Sequence, residues 1–189
     1  YYMDSLPKRA GDTRLFVDKS MSTYGFVGSI LRLFPNARFV QCVRHPMEAA
    51  WSMYSTLFQT GQLQFTTDFA GLAQKYEIYE NFMTLWDRLY PDRILHLYYD
   101  ELINDPEVEI RRILNHLGLE WDPACLDFHT TKNTVRTASI TQVRQPLYKT
   151  ASQKWRSYEA HLEPLQTLLA PFIDRYQRRC FARAKTDTA

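Results

Sequence analysis

Apolar residues are spaced in two ways along the chain, and the change between the two spacings predicts alternating strands and helices. Three short apolar runs predict strands, at residues 14–18, 38–43 and 93–98. Five stretches in which apolar residues recur every three or four positions predict helices, at about residues 20–34, 46–58, 69–89, 105–117 and 159–179. Strands that alternate with helices indicate an α/β fold, with a parallel sheet flanked by helices and right-handed crossovers.

The residues at the ends of these segments agree with the predicted boundaries. Pro46 stands in the first turn of its helix, where proline is best tolerated. Asp105 is a suitable N-cap, and Gly118 is a suitable stop for the same helix. Because the 38–43 run is almost entirely apolar, we expect both faces of its strand to be covered and Cys42 to lie in the core.

Composition and charge narrow the class of protein. The 189 residues suffice for one domain with a sizeable core, and apolar residues make up 45% of them. A net charge of +2 is too small for general nucleic-acid binding, so no nucleic-acid partner is expected. No apolar run reaches transmembrane length, so no membrane span is expected. Since the chain does not begin with Met, we expect a fragment of a longer protein.

Cysteine and histidine spacing bears on redox compartment and metal binding. The three cysteines fit neither a disulfide framework nor a zinc site, which favours a reducing compartment and a cytoplasmic location. The five histidines show no metal-ligand spacing, so no metal is expected.

The segment 129–158 contains no Asp or Glu, although six Lys or Arg residues fall within it. Solvated loops usually mix charges of both signs, so a segment of one sign indicates a surface that faces an anion, with chance as the open alternative. The polar part of this region, residues 127–152, has no clear period. Loops of that length in compact domains are usually functional or disordered.

Arg44 follows the second predicted strand and leads directly into a predicted helix start. Free N–H groups and the helix dipole attract anions there, and Ser52 lies about two turns further along the same helix. A guanidinium and a hydroxyl are suitable ligands for a phosphate. The residues leave an equally weighted alternative open, in which Arg44 pairs with Glu48 and Ser52 is simply solvated.

Lys19 follows Asp18 at the end of the first predicted strand. Ligands of open α/β sheets bind beyond the carboxyl ends of the strands, where a lysine can neutralise charge on a transferred group. On physical grounds alone, a surface pair between Lys19 and Asp18 is the more common outcome.

Five short motifs occur in a fixed order within residues 14–172. They are Asp18-Lys19, Leu33-Phe34-Pro35-Asn36-Ala37-Arg38-Phe39, Val43-Arg44-His45-Pro46 with Ser52, Leu97-Tyr98-Tyr99-Asp100-Glu101-Leu102 with Asp105-Pro106, and the pair of segments 139–148 and 152–158. In this order they resemble the sulfotransferases that use 3′-phosphoadenosine 5′-phosphosulfate (PAPS), most of all the bacterial branch often fused to tetratricopeptide repeats and related to protein-tyrosine sulfotransferases. The resemblance implies a P-loop-like sulfotransferase fold, incomplete here at its amino-terminal side. It also implies an enzyme that transfers a sulfuryl group from PAPS to an acceptor hydroxyl or amine without a metal.

The resemblance assigns roles by position. It implies that Arg44 and Ser52 hold the 3′-phosphate of the cofactor and that Tyr99 lies near the nucleotide. Lys19 corresponds to the catalytic lysine that stabilises the leaving phosphosulfate bridge.

The basic segment obtains a role from the same resemblance. Residues 139–148, which include Ser139, Gln142 and Arg144, correspond to the loop that wraps the adenosine and its 3′-phosphate. Lys154 corresponds to a lysine on the cofactor. A ligand with several phosphate charges would explain why this region lacks acidic residues.

Two departures from the family pattern limit the resemblance. The chain has no counterpart of the amino-terminal loop that binds the 5′-phosphosulfate, and the acceptor-activating base belongs to that part or just after it. In addition, His45 stands where the family has Asp or Asn. We expect residues 1–180 to form the carboxyl-terminal part of a sulfotransferase domain and residues 181–189 to form a flexible tail.

Other functions and partners remain open at this point. One is a non-catalytic nucleotide-binding or interaction module that kept the fold but lost the 5′-phosphosulfate loop. Another is a P-loop kinase relative, which the missing Gly-x-x-x-x-Gly-Lys motif disfavours. The expected partners are a small-molecule or peptide acceptor and an upstream repeat or amino-terminal part of the same protein. Residues 58–68 are the candidate rim of an acceptor pocket.

Overall fold

Six α-helices and a two-stranded sheet make up the described part of the chain. The computed structural model describes residues 15–58, 61–127 and 149–186. The helices are α1 (Val27–Leu33), α2 (Pro46–Tyr54), α3 (Phe69–Leu89), α4 (Tyr99–Asn104), α5 (Pro106–Leu117) and α6 (Glu163–Thr186). The strands are β1 (Phe39–Val43) and β2 (Ile94–Tyr98). Short 3-10 helical segments lie at Thr23–Gly25, Gly61–Thr67, Pro123–Cys125 and Lys149–His161.

The two strands pair in parallel, as the α/β prediction requires. Their register places Phe39 opposite Ile94 and Val43 opposite Tyr98. Parallel strands end at the same edge of a sheet, so the residues that follow them leave the sheet side by side. This register therefore places Arg44 next to the start of α4.

The predicted strand at residues 14–18 is wrong for its described residues, 15–18. Leu15, Phe16 and Val17 have no strand geometry, and their exposed fractions are 53%, 52% and 83%. A strand is stable only when its N–H and C=O groups pair with a neighbour. No neighbouring strand lies beside this segment within the described residues, so its apolar side chains face solvent.

Helix boundaries follow the capping residues where these are strong. Asp68 accepts a hydrogen bond from the N–H of Gly71 at 2.7 Å and starts α3 where it was predicted. Asp105 caps α5 in the same way, and Gly118 ends that helix with a left-handed φ of 71°. Where no strong capping residue marks a boundary, the prediction was wrong. Helix α2 ends at Tyr54 rather than near residue 58, and the short helix α4 was not predicted.

The main core lies between α2, α3 and α6. Met47, Leu72, Leu165 and Leu169 are fully buried there, and Trp155 packs into the same cluster. Because each fully buried side chain contributes about 1.5–3 kcal/mol, this cluster fixes the position of α2 and hence of its first turn.

Cys42 does not lie in the core, contrary to the prediction, because its thiol borders an open cavity rather than packed side chains. Helix α6 continues to Thr186 and begins at Glu163, since residues before it form the 3-10 segment Lys149–His161. The domain boundary near residue 180 and the flexible tail stay predictions.

Candidate functional site

Arg44 and Tyr99 meet at the carboxyl edge of the sheet. The guanidinium carbon of Arg44 lies 4.4 Å from the centre of the Tyr99 ring. A guanidinium over an aromatic face is held by a cation–π interaction. The structure thus brings together two residues that were assigned to one nucleotide from opposite halves of the sequence.

Arg44 also approaches Glu48, as the structural alternative predicted. The Nη2 atom of Arg44 lies 3.7 Å from Oε2 of Glu48, and the Glu48 side chain is only 8% exposed. Within the described part of the chain, neither the buried Nε of Arg44 nor this Oε2 atom has a hydrogen-bond partner. The ion pair therefore leaves hydrogen-bonding capacity of Arg44 unused.

Glu48 is a buried carboxyl group, and its pKa is raised. Its pKa is raised to about 7, mainly by burial and also by the neighbouring Asp100 carboxylate, while Arg44 and Arg156 oppose the shift. A carboxyl group with this pKa is partly protonated near neutral pH. Consequently the charge beside Arg44 changes over the physiological range.

His45 and Trp155 fix the start of α2. The Nδ1 atom of His45 accepts a hydrogen bond from the N–H of Met47 at 3.3 Å, which caps the helix. The Trp155 ring stacks on His45 at 5.9 Å between centroids and an angle of 8°. Burial lowers the pKa of His45, Asp100 opposes this shift and Arg156 adds to it.

Because Trp155 stacks at the start of α2, its sequence neighbours Lys154 and Arg156 lie near the same end of this helix. Lys154 is exposed, and the guanidinium carbon of Arg156 lies 5.1 Å from the centre of the Trp155 ring. Behind them, the hydroxyl of Tyr176 donates a hydrogen bond to Oδ2 of Asp100 at 3.0 Å. Arg44, Tyr99 and the segment around Lys154 therefore surround one helix start.

Ser52 and Lys19 lie further out. Ser52 is exposed on α2, about 9 Å along the helix axis from Pro46, on the same side as Glu48 because the two are four residues apart. Lys19 is exposed in the segment before Met21 and Ser22, which line the cavity described below. The proposed contacts of both side chains stay predictions.

Three predicted cofactor residues, Ser139, Gln142 and Arg144, lie outside the described residues. Their assignment stays a prediction based on the resemblance.

A cavity of about 620 Å³ opens beside this site. Its wall includes Arg44 and Cys42 from the edge of β1, Met53 from α2, and Tyr76 and Tyr79 from α3. Phe58, Leu63, Phe65 and Thr66 also line it, so residues of the segment predicted to form an acceptor rim do line a cavity.

Sequence reasoning missed several residues of this region. Asp100 and Arg156 act on the pKa of Glu48, and Lys75 lines the cavity from α3. Asp100 stood in a quoted motif and Arg156 in the basic segment, so a signal existed for both. Lys75 carries no such signal, because only the packing of α3 shows that it faces the cavity.

The described residues were compared with the features of membrane-spanning helices and of metal sites. No helix in residues 15–58, 61–127 and 149–186 combines the length and apolar character needed to cross a membrane. In the same residues, no cluster of three or more His, Cys, Asp or Glu side chains is arranged to hold a metal ion.

Three relatives match more than half of this chain. A protein of Aquifex aeolicus is 33% identical over 187 residues, which cover 94% of this chain and 25% of that protein. The omega-hydroxy-beta-dihydromenaquinone-9 sulfotransferase Stf3 of Mycobacterium tuberculosis is 30% identical over 78% of this chain and 37% of its own length. A putative protein-tyrosine sulfotransferase of Caenorhabditis briggsae is 28% identical over 59% of this chain and 40% of its length. The chain thus spans between a quarter and two fifths of these relatives.

A solved structure and a family model also match this chain. The sulfotransferase domain from the curacin biosynthetic pathway superposes with a TM-score of 0.56 at 17% identity, covering 84% of this chain and 62% of that domain, which shows the α/β sulfotransferase fold. The model of the sulfotransferase family matches residues 1–123, which include β1, β2 and the edge where Arg44 meets Tyr99. The chain belongs to the sulfotransferase family.

Proposed function

We propose that this chain binds PAPS through the edge formed by Arg44 and Tyr99, and that it takes part in sulfuryl transfer to an acceptor hydroxyl or amine. The observation that carries the proposal is the buried Nε of Arg44, which lacks a hydrogen-bond partner among the described residues. Buried donors are usually satisfied, and a phosphate oxygen is a strong acceptor for a guanidinium.

The surroundings of Arg44 support a nucleotide phosphate rather than a simple ion. Tyr99 presents an aromatic ring to Arg44, and Arg156 is close enough to the neighbouring Glu48 to lower its pKa. Ser52 has a hydroxyl on the same side of α2, and the Cα–Cβ bonds of a helix tilt toward its N-terminus. A 3′-phosphate held by Arg44 and Ser52 would lie over Glu48.

When bound, PAPS supplies an activated sulfuryl group and a stable diphosphate leaving group. Arg44 and Lys154 would bind and orient the negative charge of this donor, and Lys19 would stabilise negative charge that develops on its leaving group. The base is not assigned to any residue of this chain.

Calorimetric titration with 3′,5′-adenosine diphosphate tests the binding proposal. Arg44→Ala should weaken binding by about 10- to 100-fold, because each charge-assisted hydrogen bond contributes about 1.5–3 kcal/mol. Arg88→Ala, which removes the same charge from the exposed end of α3, should leave it unchanged. Equal affinity for the diphosphate and for 5′-AMP would refute the 3′-phosphate assignment.

The catalytic role of Lys19 needs a kinetic measurement. In an active preparation, Lys19→Ala should lower kcat more than it weakens diphosphate binding, because its charge acts mainly on the transition state. A change in affinity alone would contradict that role. A chain that binds the diphosphate but supports no transfer would instead favour the non-catalytic nucleotide-binding module.

A further inference from the structure

The cavity beside Arg44 has the size and lining of a small-molecule site. Its volume of about 620 Å³ falls within the range of about 300–1,000 Å³ usual for such sites. Its wall includes aromatic rings from Tyr24, Phe58, Phe65, Tyr76 and Tyr79. Rings of this kind make favourable contacts with a flat apolar body.

Two polar groups on this wall are bonded within the protein. The hydroxyl of Thr66 donates to the carbonyl oxygen of Leu63 at 2.8 Å, and the hydroxyl of Tyr79 accepts a hydrogen bond from Gln41. These bonds use part of the hydrogen-bonding capacity of the Thr66 and Tyr79 hydroxyls.

Lys75 adds a positive charge to this wall from α3. Its ammonium nitrogen lies 5.4 Å from the ring centres of both Tyr24 and Phe65. The helix positions three and four residues away are Gly71, Leu72, Ile78 and Tyr79, none of which is acidic. No carboxylate of the described residues lies within salt-bridge distance of it, so the ammonium keeps its donors for a ligand.

The cavity wall also includes residues near both proposed ends of the donor site. Arg44 is one of them, and Met21 and Ser22 are close in sequence to Lys19. An acceptor must reach the group that is transferred, so a cavity in this position is suited to hold one.

We propose that this cavity binds the acceptor and selects a small aromatic hydroxyl compound that carries its own anionic group, with Lys75 as the residue that binds the anion. The role of this ligand as an acceptor rests on the proposed sulfuryl transfer. The binding of the ligand rests on the cavity alone. Tyr24 and Phe65 contact the aromatic body and keep the Lys75 ammonium in place through cation–π interactions.

Two fluorescent probes that differ in charge test the inference. 6-Hydroxy-2-naphthoate carries an aromatic hydroxyl and a carboxylate, and 2-naphthol lacks the carboxylate. In fluorescence titrations the chain should bind the naphthoate at least about tenfold more tightly than naphthol. Lys75→Met, which keeps the apolar stem, should remove this preference and leave the affinity for naphthol within about twofold.

Two further variants serve as controls. Arg88→Met removes a positive charge from the exposed end of the same helix and should retain the full preference. Phe65→Leu should weaken both probes, because it removes an aromatic wall of the cavity. A preference that persists in Lys75→Met, or binding that Phe65→Leu leaves unchanged, would overturn the proposal.

A parallel titration with 3′,5′-adenosine diphosphate separates the two proposals. Diphosphate binding without naphthoate binding refutes the cavity inference alone. Naphthoate binding that depends on Lys75, without diphosphate binding, supports the ligand site and refutes the donor proposal.

Discussion

Glu48 lies beneath the site where Arg44 is proposed to hold a phosphate, with 3.7 Å between Oε2 of Glu48 and Nη2 of Arg44. An ionised Glu48 would compete with the phosphate for the guanidinium and repel it at the same time. A protonated Glu48 would do neither. Since the pKa of Glu48 is raised to about 7, phosphate binding and protonation of Glu48 should favour each other.

Binding of 3′,5′-adenosine diphosphate should therefore weaken as pH rises above 7. If one proton is taken up at Glu48, the dissociation constant should increase by up to about tenfold per pH unit between pH 7.5 and 9. Glu48→Gln removes the titrating group and should bind with little pH dependence over that range. Calorimetric titrations in buffers with different ionisation enthalpies would count the proton directly.

The comparison with 5′-AMP provides a control for that measurement. AMP has no 3′-phosphate to lie over Glu48, so its weaker binding should change little with pH. Parallel pH profiles for the wild-type chain and Glu48→Gln would show that another group is responsible.

Glu48 should also make the stability of the chain depend on pH. Its folded-state pKa of about 7 exceeds its ordinary value of 4.5, so the folded chain holds more protons between these values. The free energy of unfolding should consequently fall as pH rises from about 4.5 to 7 and then level off. Glu48→Gln should be more stable than the wild type at pH 8 by up to about 3 kcal/mol, and the difference should vanish near pH 4.5.

Urea denaturation at several pH values measures this difference. Glu107→Gln is a suitable control, because Glu107 is exposed on α5 and pairs with Arg111 across one helical turn. Its effect should be small at every pH. If Glu107→Gln and Glu48→Gln behaved alike, burial of Glu48 would not be the cause.

The parts of the fold that were predicted correctly have local causes. Helices α3 and α5 begin at Asp68 and Asp105 because those side chains cap them, and capping residues are visible in a sequence. The strand at residues 14–18 failed because a strand depends on a neighbour that local sequence does not reveal. An apolar run alone cannot show whether another strand lies beside it.

In the candidate site, too, the residues found from the sequence are those with local causes. Arg44 could be found because it joins a strand to a helix start, and its pairing with Glu48 follows from their spacing. The place of Lys75 on the cavity wall and the effect of Asp100 on Glu48 could not be assigned, because both depend on contacts between different elements. Residue spacing within one element is local, whereas contacts between elements arise only from the tertiary fold.

Gly118 should be sensitive to substitution because of its backbone alone. Its φ of 71° lies in the left-handed region, although a Cβ added there would meet no atom within 4 Å. Gly118→Ala should therefore cost about 1–2 kcal/mol in the free energy of unfolding. Gly25 has equal space for a Cβ without the positive φ, so Gly25→Ala should be neutral or slightly stabilising.

Thermal and urea denaturation of both glycine variants would check this pair. If both variants lost the same free energy of unfolding, the left-handed backbone of Gly118 would not explain the loss.

Trp155 should matter both for stability and for diphosphate binding. Its side chain is 6% exposed and stacks on His45 at the start of α2, which holds the segment with Lys154 and Arg156 beside Arg44. Trp155→Ala should lower the free energy of unfolding by about 3–5 kcal/mol. Tyr158→Ala, in the same segment but 49% exposed, should cost much less.

Trp155→Phe separates the two effects of this side chain. Phenylalanine keeps an aromatic ring against His45, so this variant should remain folded and bind the diphosphate within a few-fold of the wild type. Trp155→Ala, measured at a temperature where it is folded, should bind more weakly, because the positive charges of Lys154 and Arg156 are then no longer held near the phosphate. If the folded Trp155→Ala chain kept full affinity, the 154–156 segment would have no part in binding, and Arg44 would have to act with residues of other elements.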